Sequence, residues 1–195
     1  MLSRGAIDQY DLYSALERKR NFPEKRIGQC LEELGLTNQA EIARAVGAQH
    51  CLPVLSSLPD ERDSSVPFRL QQACAAICFR NSRNSKLMHV GFLREVDLSL
   101  TSAITAVLGL RAEPCVLSID NVASGSHPPE GNAGRGERSF EAVHDAMDIA
   151  RSICSYANQS DVDEVRIAAT SKYLWAHLLG WRGSMDLLFR RGHLS

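Results

Sequence analysis

An internal repeat near the N-terminus constrains this chain more than any other feature. "GAIDQYDLYSALERK" (residues 5–19) lines up with "GLTNQAEIARAVGAQ" (residues 35–49): Gly5 matches Gly35, Leu12 matches Ile42, Leu16 matches Val46 and Lys19 matches Gln49. Each copy reads as a helix entered through a turn. Apolar residues recur at helical spacing after Asp8, which suits an N-cap, and Thr37 is the expected cap of the second copy. Asn21, Phe22 and Pro23 end the first helix, because proline lacks a donor and restricts its predecessor. A short helix over 27–34 and a break at Gly35 separate the copies. Such units bury their apolar faces by packing on one another, which makes the first 58 residues a helical piece.

The texture changes at Val66. A short helix over 69–75 and a strand over 76–80 are followed by a polar turn at 81–85. The alternating "KLMHVGFL" then predicts a strand. Residues 98–110 are apolar at helical spacing and stop at Gly109, and "EPCVLSI" reads as a strand. Strand, helix, strand implies a small α/β layer over 59–119. Residues 121–138, "NVASGSHPPEGNAGRGER", are rich in Gly, Pro and Ser and predict a flexible linker spanning 120–138. Beyond it, Phe140, Val143, Met147, Ala150, Ile153 and Cys154 form one stripe of an expected long helix. "DEVRIAAT" predicts a strand, "SKYLWAHLLG" a short helix and "SMDLLFRR" a last strand. Trp175 and Trp181 are expected to anchor packing. The fold class is therefore α+β: a helical repeat, a small α/β subdomain, a linker, and a second α/β module over 139–195.

Composition excludes several classes. A formal net charge of −1 over 195 residues gives no field for a nucleic acid polymer or an acidic membrane surface. No apolar run reaches the ~20 residues that span a bilayer, so no direct membrane insertion is expected. The six cysteines sit in apolar settings without paired zinc spacing, which points to reduced, mostly buried thiols and a cytoplasmic protein.

The repeat, with "AQHCLPVLSSL" after it and "KLMHVGFLREVDLSLTSAITAVLGLRAEPCVLS" beyond, resembles the N-terminal domain of the type II secretion and type IV pilus assembly ATPases, the general secretion pathway protein E family. The resemblance covers about residues 1–119, and the C-terminal third resembles no family. It implies a domain that docks a motor onto a membrane-embedded assembly. The expected partner is a protein, a secretion or pilus assembly component.

One branch of that family binds cyclic dimeric GMP through a motif of the form RLGxxLLxxGLLxxxxLxxxLxxQ. Arg26, Ile27, Gly28, Leu31, Gly35, Leu36, Ile42, Val46 and Gln49 match it in register. An arginine pairs with phosphate or stacks on guanine, and leucine-like side chains pack on flat bases. The resemblance thus implies cyclic dimeric GMP as an alternative ligand, whereas the interaction reading calls for no cofactor. The first copy lacks the Arg-Leu-Gly opening and ends in Lys19. The apolar matches are also what helix packing alone requires.

No G-x-x-x-x-G-K-[ST] phosphate cradle occurs. His50 and Cys51 are adjacent, so they diverge on a regular element and make no nucleophile–base pair. His50 is read as a helix-end residue and Cys51 as core. His89 is placed on a strand, His144 and His177 on helices, and none shares a metal-binding spacing with another. Asp161, Asp163 and Glu164 read as a solvated turn. The basic cluster of Arg18, Lys19, Arg20, Lys25 and Arg26 reads as a solvated face beside the inter-repeat turn. These residues describe a non-enzyme. Purified protein is expected to hydrolyse neither ATP nor GTP above background. Turnover abolished by a point mutation in this chain would overturn that assignment.

Overall fold

The computed structural model describes residues 5–57, 63–81, 84–118, 135–141 and 145–192. The fold is α+β. Two compact units divide it: Met1–Leu58 with Cys115–Ser124, and Pro59–Pro114 with Gly125–Ser195. The second unit draws on both sides of 120–138: its core takes Leu70, Phe92, Leu100 and Ile104 from one side of that segment and Tyr173, Trp175 and Leu188 from the other.

The first unit holds α1 (Gln9–Asn21), α2 (Ile27–Glu33), α3 (Gln39–His50) and β1 (Val54–Leu55). The repeat is visible in its backbone. Gly5 and Gly35 take φ of +68° and +69°, values that favour glycine. Three residues after each comes the cap. Asp8 Oδ1 accepts from Asp11 N–H at 2.8 Å, and Asp11 returns the bond to Asp8 N–H at 2.9 Å. Asn38 Oδ1 accepts from Glu41 N–H at 2.9 Å. The second cap is therefore Asn38, not Thr37: it holds the extended backbone (φ −125°, ψ 169°) that aims its side chain at the open N–H groups. Ile7, Ala15, Cys30 and Leu31 form this unit's buried cluster, with Leu12, Ile27 and Leu36 packed against it.

α3 stops at Cys51, which is exposed and left-handed at φ 55°, so it is a helix end and not a core residue. Leu52 N–H then bonds back to Gly47 carbonyl at 2.8 Å, and the chain returns over the helix. Here the missing side chain makes room. A Cβ on Gly47 would lie 2.5 Å from Val54 Cγ2 and 3.0 Å from Leu52 carbonyl oxygen. β1 pairs in parallel with the end of β4 (Arg111–Leu117), Val54 opposite Val116.

The second unit contains α4 (Phe68–Ala73), β2 (Ala76–Asn81), β3 (Asn84–Phe92), α5 (Leu98–Leu108), the start of β4, β5 (Arg135–Phe140), α6 (Ala146–Gln159), β6 (Val162–Ala169), β7 (Tyr173–Gly180) and β8 (Gly183–Arg190). Its strands run in the orders β4-β3-β2 and β5-β8-β7-β6. β2 and β3 pair antiparallel, Ala76 with Phe92 through Arg80 with Met88. β7 and β8 are a hairpin closed by Trp181 and Arg182, and β5 joins β8 in parallel. Gly109 ends α5 at φ +67°, as the sequence indicated.

Four expectations are corrected. "SKYLWAHLLG" is strand β7, because its apolar residues on both faces are buried between layers, a pattern that periodicity alone cannot separate from a helix. Residues 135–138 of the expected linker are strand, drawn in by parallel pairing with β8; most of 120–138 lies outside the described residues. α6 starts at Ala146 and buries Ile149, Ile153, Tyr156 and Ala157, while Met147, Ala150 and Cys154 are exposed and Phe140 belongs to β5. Val143 lies outside the described residues. Trp175 is fully buried, but Trp181 is 71% exposed at the hairpin tip, beneath the Arg182 guanidinium.

One polar row crosses the second sheet. Glu137 pairs with Asp186 across β5 and β8, Asp186 with His177 across β8 and β7, and His177 with Arg166 across β7 and β6. Asp186 Oδ1 accepts from Trp175 Nε1 at 2.8 Å and lies 2.6 Å from His177 Nδ1. Glu137 accepts from Phe68 N–H at 2.9 Å and Arg69 N–H at 3.3 Å, which caps α4. At the other end Arg166 donates to the Val107 carbonyl at 3.1 Å, near the C-terminus of α5.

Burial raises the Glu137 carboxyl above its ordinary 4.5, helped by the Asp186 charge and opposed by the two α4 N–H groups and Arg69. A raised folded pKa means that the folded state keeps this proton longer than the unfolded chain does. Its stabilising contribution is present below the unfolded pKa and lost as pH rises through the folded one. Glu137→Gln keeps an oxygen for Phe68 N–H and removes the titration. The variant is expected to lose less melting temperature than wild type between about pH 4 and 7. Parallel curves would show that Glu137 ionises freely.

Candidate functional site

The candidate residues all lie in the first unit, between α2 and the end of α3. Arg26 is exposed at the start of α2, with its N–H bonded to Gln29 Oε1 at 2.9 Å. Ile27 packs against the small buried cluster, and Leu31 lies within it at 2% exposure. Gly28 faces α3: a Cβ there would meet Ile42 Cγ2 at 3.3 Å, so the missing side chain lets the two helices approach. Gly35 makes the left-handed turn between them. Ile42 and Val46 are half-buried, and Gln49 is exposed on the last turn of α3. Leu31 and Ile42 thus do not share one buried cluster. Glu32 and Gln39 hydrogen-bond across the α2–α3 junction. The apolar members of the motif are placed as packing residues, and its two polar ends reach the surface.

The basic cluster is largely committed. Arg18 and Lys25 both grip Glu33, each at 2.7 Å, and both cations also sit over the Phe22 ring. Hydrogen bonds from Lys25 and then Arg18 hold the Glu33 carboxyl below its usual range. Lys19 donates to the carbonyls of Pro23 at 3.1 Å and Lys25 at 2.6 Å. The residue that stands in the first copy where Gln49 stands in the second therefore ties down the inter-repeat turn.

One asymmetry between the copies escaped the sequence. α1 exposes Tyr10 (78%), Tyr13 (56%) and Leu16 (46%) at i, i+3 and i+6, one outward stripe. Thirty residues on, Ala43 is buried, Ala40 and Val46 are half-buried, and Gly47 is buried beneath the returning chain at Leu52 and Val54. The same face is covered in one copy and open in the other. The signal was present in the alignment: aromatics stand in one copy where alanines stand in the other.

Two polar clusters in the second unit have chemistry worth weighing. Asp97 caps α5 through Ser99 N–H at 3.0 Å, accepts from Ser171 Oγ and takes the Cys74 thiol at 3.6 Å. Burial pushes Asp97 up, but the bonds from Ser171 and Ser99 outweigh it and leave the carboxyl low. Burial, with the Asp97 charge, pushes the Cys74 thiol up to about 12. A thiol so protonated is no nucleophile at neutral pH. His177, assigned to a helix by the sequence reading, lies on β7 at 2% exposure and is bound to Asp186, and its neighbours Trp175 and Leu178 are as deeply buried. His89 stacks on Phe79 within β3 and β2. His144 lies outside the described residues. Among the described residues no three His, Cys, Asp or Glu side chains gather as metal ligands, and no helix is long and apolar enough to cross a membrane.

No family model matches the chain, and no curated protein matches it. Among solved structures it is similar to "MshE with cdg", at 18% identity and a TM-score of 0.48, over 60% of this chain and 85% of that one. At that level of likeness any functional reading rests on this chain's own residues.

Gly47 offers a direct check of the packing. Gly47→Ala gains helix propensity of about 1 kcal/mol, yet its methyl must displace Val54 and the Leu52 carbonyl. A net loss of about 1–3 kcal/mol in denaturant unfolding is expected. A stabilised variant would show that the returning chain does not lie against α3.

Proposed function

We propose that this chain is a non-catalytic interaction protein of the cytoplasm whose first unit docks a protein partner through the outward face of α1. The repeat asymmetry carries the proposal: a face that the second copy covers with its own chain stays open in the first, and large amphipathic side chains line it. Tyrosines contribute wide apolar contact at low entropic cost and are enriched where proteins meet. The basic last turn of α1, with Arg20 exposed, favours acidic residues at one end of the partner's apolar seam. The resemblance to secretion-ATPase N-terminal domains suggests a secretion or pilus assembly component in that role. No nucleic acid polymer, membrane insertion or cofactor enters this reading.

The test is a titration against the purified cytoplasmic segment of such a component. The Tyr10→Ser, Tyr13→Ser double variant is expected to weaken binding by about 2–4 kcal/mol, the scale of interface hot spots. Its stability should stay within ~0.5 kcal/mol per site, since both rings are exposed. Unchanged affinity would overturn the assignment of the surface.

A second reading, a cyclic dimeric GMP sensor, is favoured by the exposure of Arg26 and Gln49 at the two polar ends of the motif. Calorimetry with that dinucleotide decides it. Low-micromolar binding, weakened by about 1.5–3 kcal/mol in Arg26→Ala, supports the sensor. No heat at high micromolar concentration leaves docking alone.

A further inference from the structure

We infer that the protein self-associates through β6, two copies pairing antiparallel about a two-fold axis at Val165 and joining their four-stranded sheets. β6 is the outer strand of β5-β8-β7-β6, and among the described residues no strand pairs with its far side. It runs for eight residues without proline, with its single register shift confined to the Val162/Glu164 end. Such an edge is a row of unpaired backbone donors and acceptors, a template for another strand.

The side chains specify the occupant. On one face Val165 and Ile167 are 37% and 51% exposed, whereas their partners on β7, Leu178 and Ala176, are 1% and 0% exposed under α6. The apolar surface of the sheet therefore runs past its helix to the edge. On the other face Glu164 and Arg166 alternate and already meet within the strand, at 2.8 and 3.1 Å. Antiparallel pairing centred on Val165 sets Glu164 opposite Arg166 of the second copy, and by symmetry does so twice. It also sets Val165 against its own copy, with Ile167 on the diagonal to Val165 and directly opposite Asp163 of the second copy, so the apolar contact is centred on the Val165 pair. Centring on Glu164 opposes two carboxylates, and centring on Arg166 opposes two guanidinium groups. Only a strand carrying the same charge order reversed fits the first register, and a two-fold copy supplies it.

Sedimentation velocity over micromolar to sub-millimolar concentrations reads the monomer–dimer equilibrium. Wild type is expected to dimerise, and Val165→Lys, which opposes two ammonium groups on the axis, to weaken the dimer about tenfold or more. Because Val165 is partly exposed, the variant should remain folded by circular dichroism. As an independent measure, Val165→Cys should form a covalent dimer under mild oxidation well beyond the wild-type level set by Cys51 and Cys154, and Ile167→Cys should not. The Tyr10→Ser, Tyr13→Ser variant should dimerise normally, which separates this interface from the docking face on α1. A wild-type monomer at all concentrations overturns the inference. So does a dimer that tolerates Val165→Lys, or equal cross-linking at positions 165 and 167.

Discussion

A carboxylate buried between a histidine and a tryptophan holds the second unit together. Among the described residues Asp186 is the one aspartate or glutamate buried to 2% exposure, and it is tolerable there because Trp175 and His177 both meet it. Glu137 on one side and Arg166 on the other extend the row to the helix ends they cap. Buried polar groups of this kind add little net stability, but removing one partner strands the other. Their larger consequence is register. A slip of one residue in any of the four strands would turn its member of the row to the opposite face, into the apolar cluster beneath α6. The row thus permits one alignment of β5, β8, β7 and β6. Because Glu137 and Arg166 engage α4 and α5, that alignment also sets where the helices lie.

The first unit rests on different physics. Its buried cluster is small, built on Ala15, Cys30 and Leu31, and surface polar bonds do much of the positioning. Glu33 gathers Arg18 and Lys25, and Lys19 closes the turn through two carbonyls. Exposed pairs contribute little singly. Here they converge on one junction of about fifteen residues and fix how α1 leads into α2. The basic cluster therefore serves the fold before it serves any ligand.

What the sequence disclosed follows from how local each signal is. Gly5, Gly35, Asp8 and Gly109 act within a few residues, so the repeat, the first cap and the end of α5 were all legible. β7 was not, because "YLWAHLLG" is apolar at nearly every position and only its pairing with β6 and β8 selects strand. Glu137 was hidden for a different reason. It follows a Gly-rich stretch, and its role as a cap on α4 joins residues 69 positions apart. Among the candidate site residues, Arg26 and Gln49 lie at the surface. The close approach at Gly28 and Ile42 required coordinates. The open face of α1 was hinted at by Tyr10 and Tyr13 standing where the second copy has Ala40 and Ala43, but nothing local says which residues a returning chain will cover.

That face shows how two copies of one motif come to differ in use. In α3 the residues at 40, 43 and 47 are Ala, Ala and Gly, and the missing side chain at Gly47 admits the chain at Leu52 and Val54 close to the helix. Side-chain volume at position 47 thus sets how closely the returning chain lies on α3. In α1 the equivalent positions are Tyr10, Tyr13 and Glu17. Their bulk and charge stand where the second copy has small residues, and both tyrosines are exposed. The aromatic character of two of the three residues makes that surface adhesive rather than merely exposed, because each ring leaves a large apolar area in water that a flat partner can remove. The first copy thus leaves in water the aromatic side chains that stand where the second copy carries alanines.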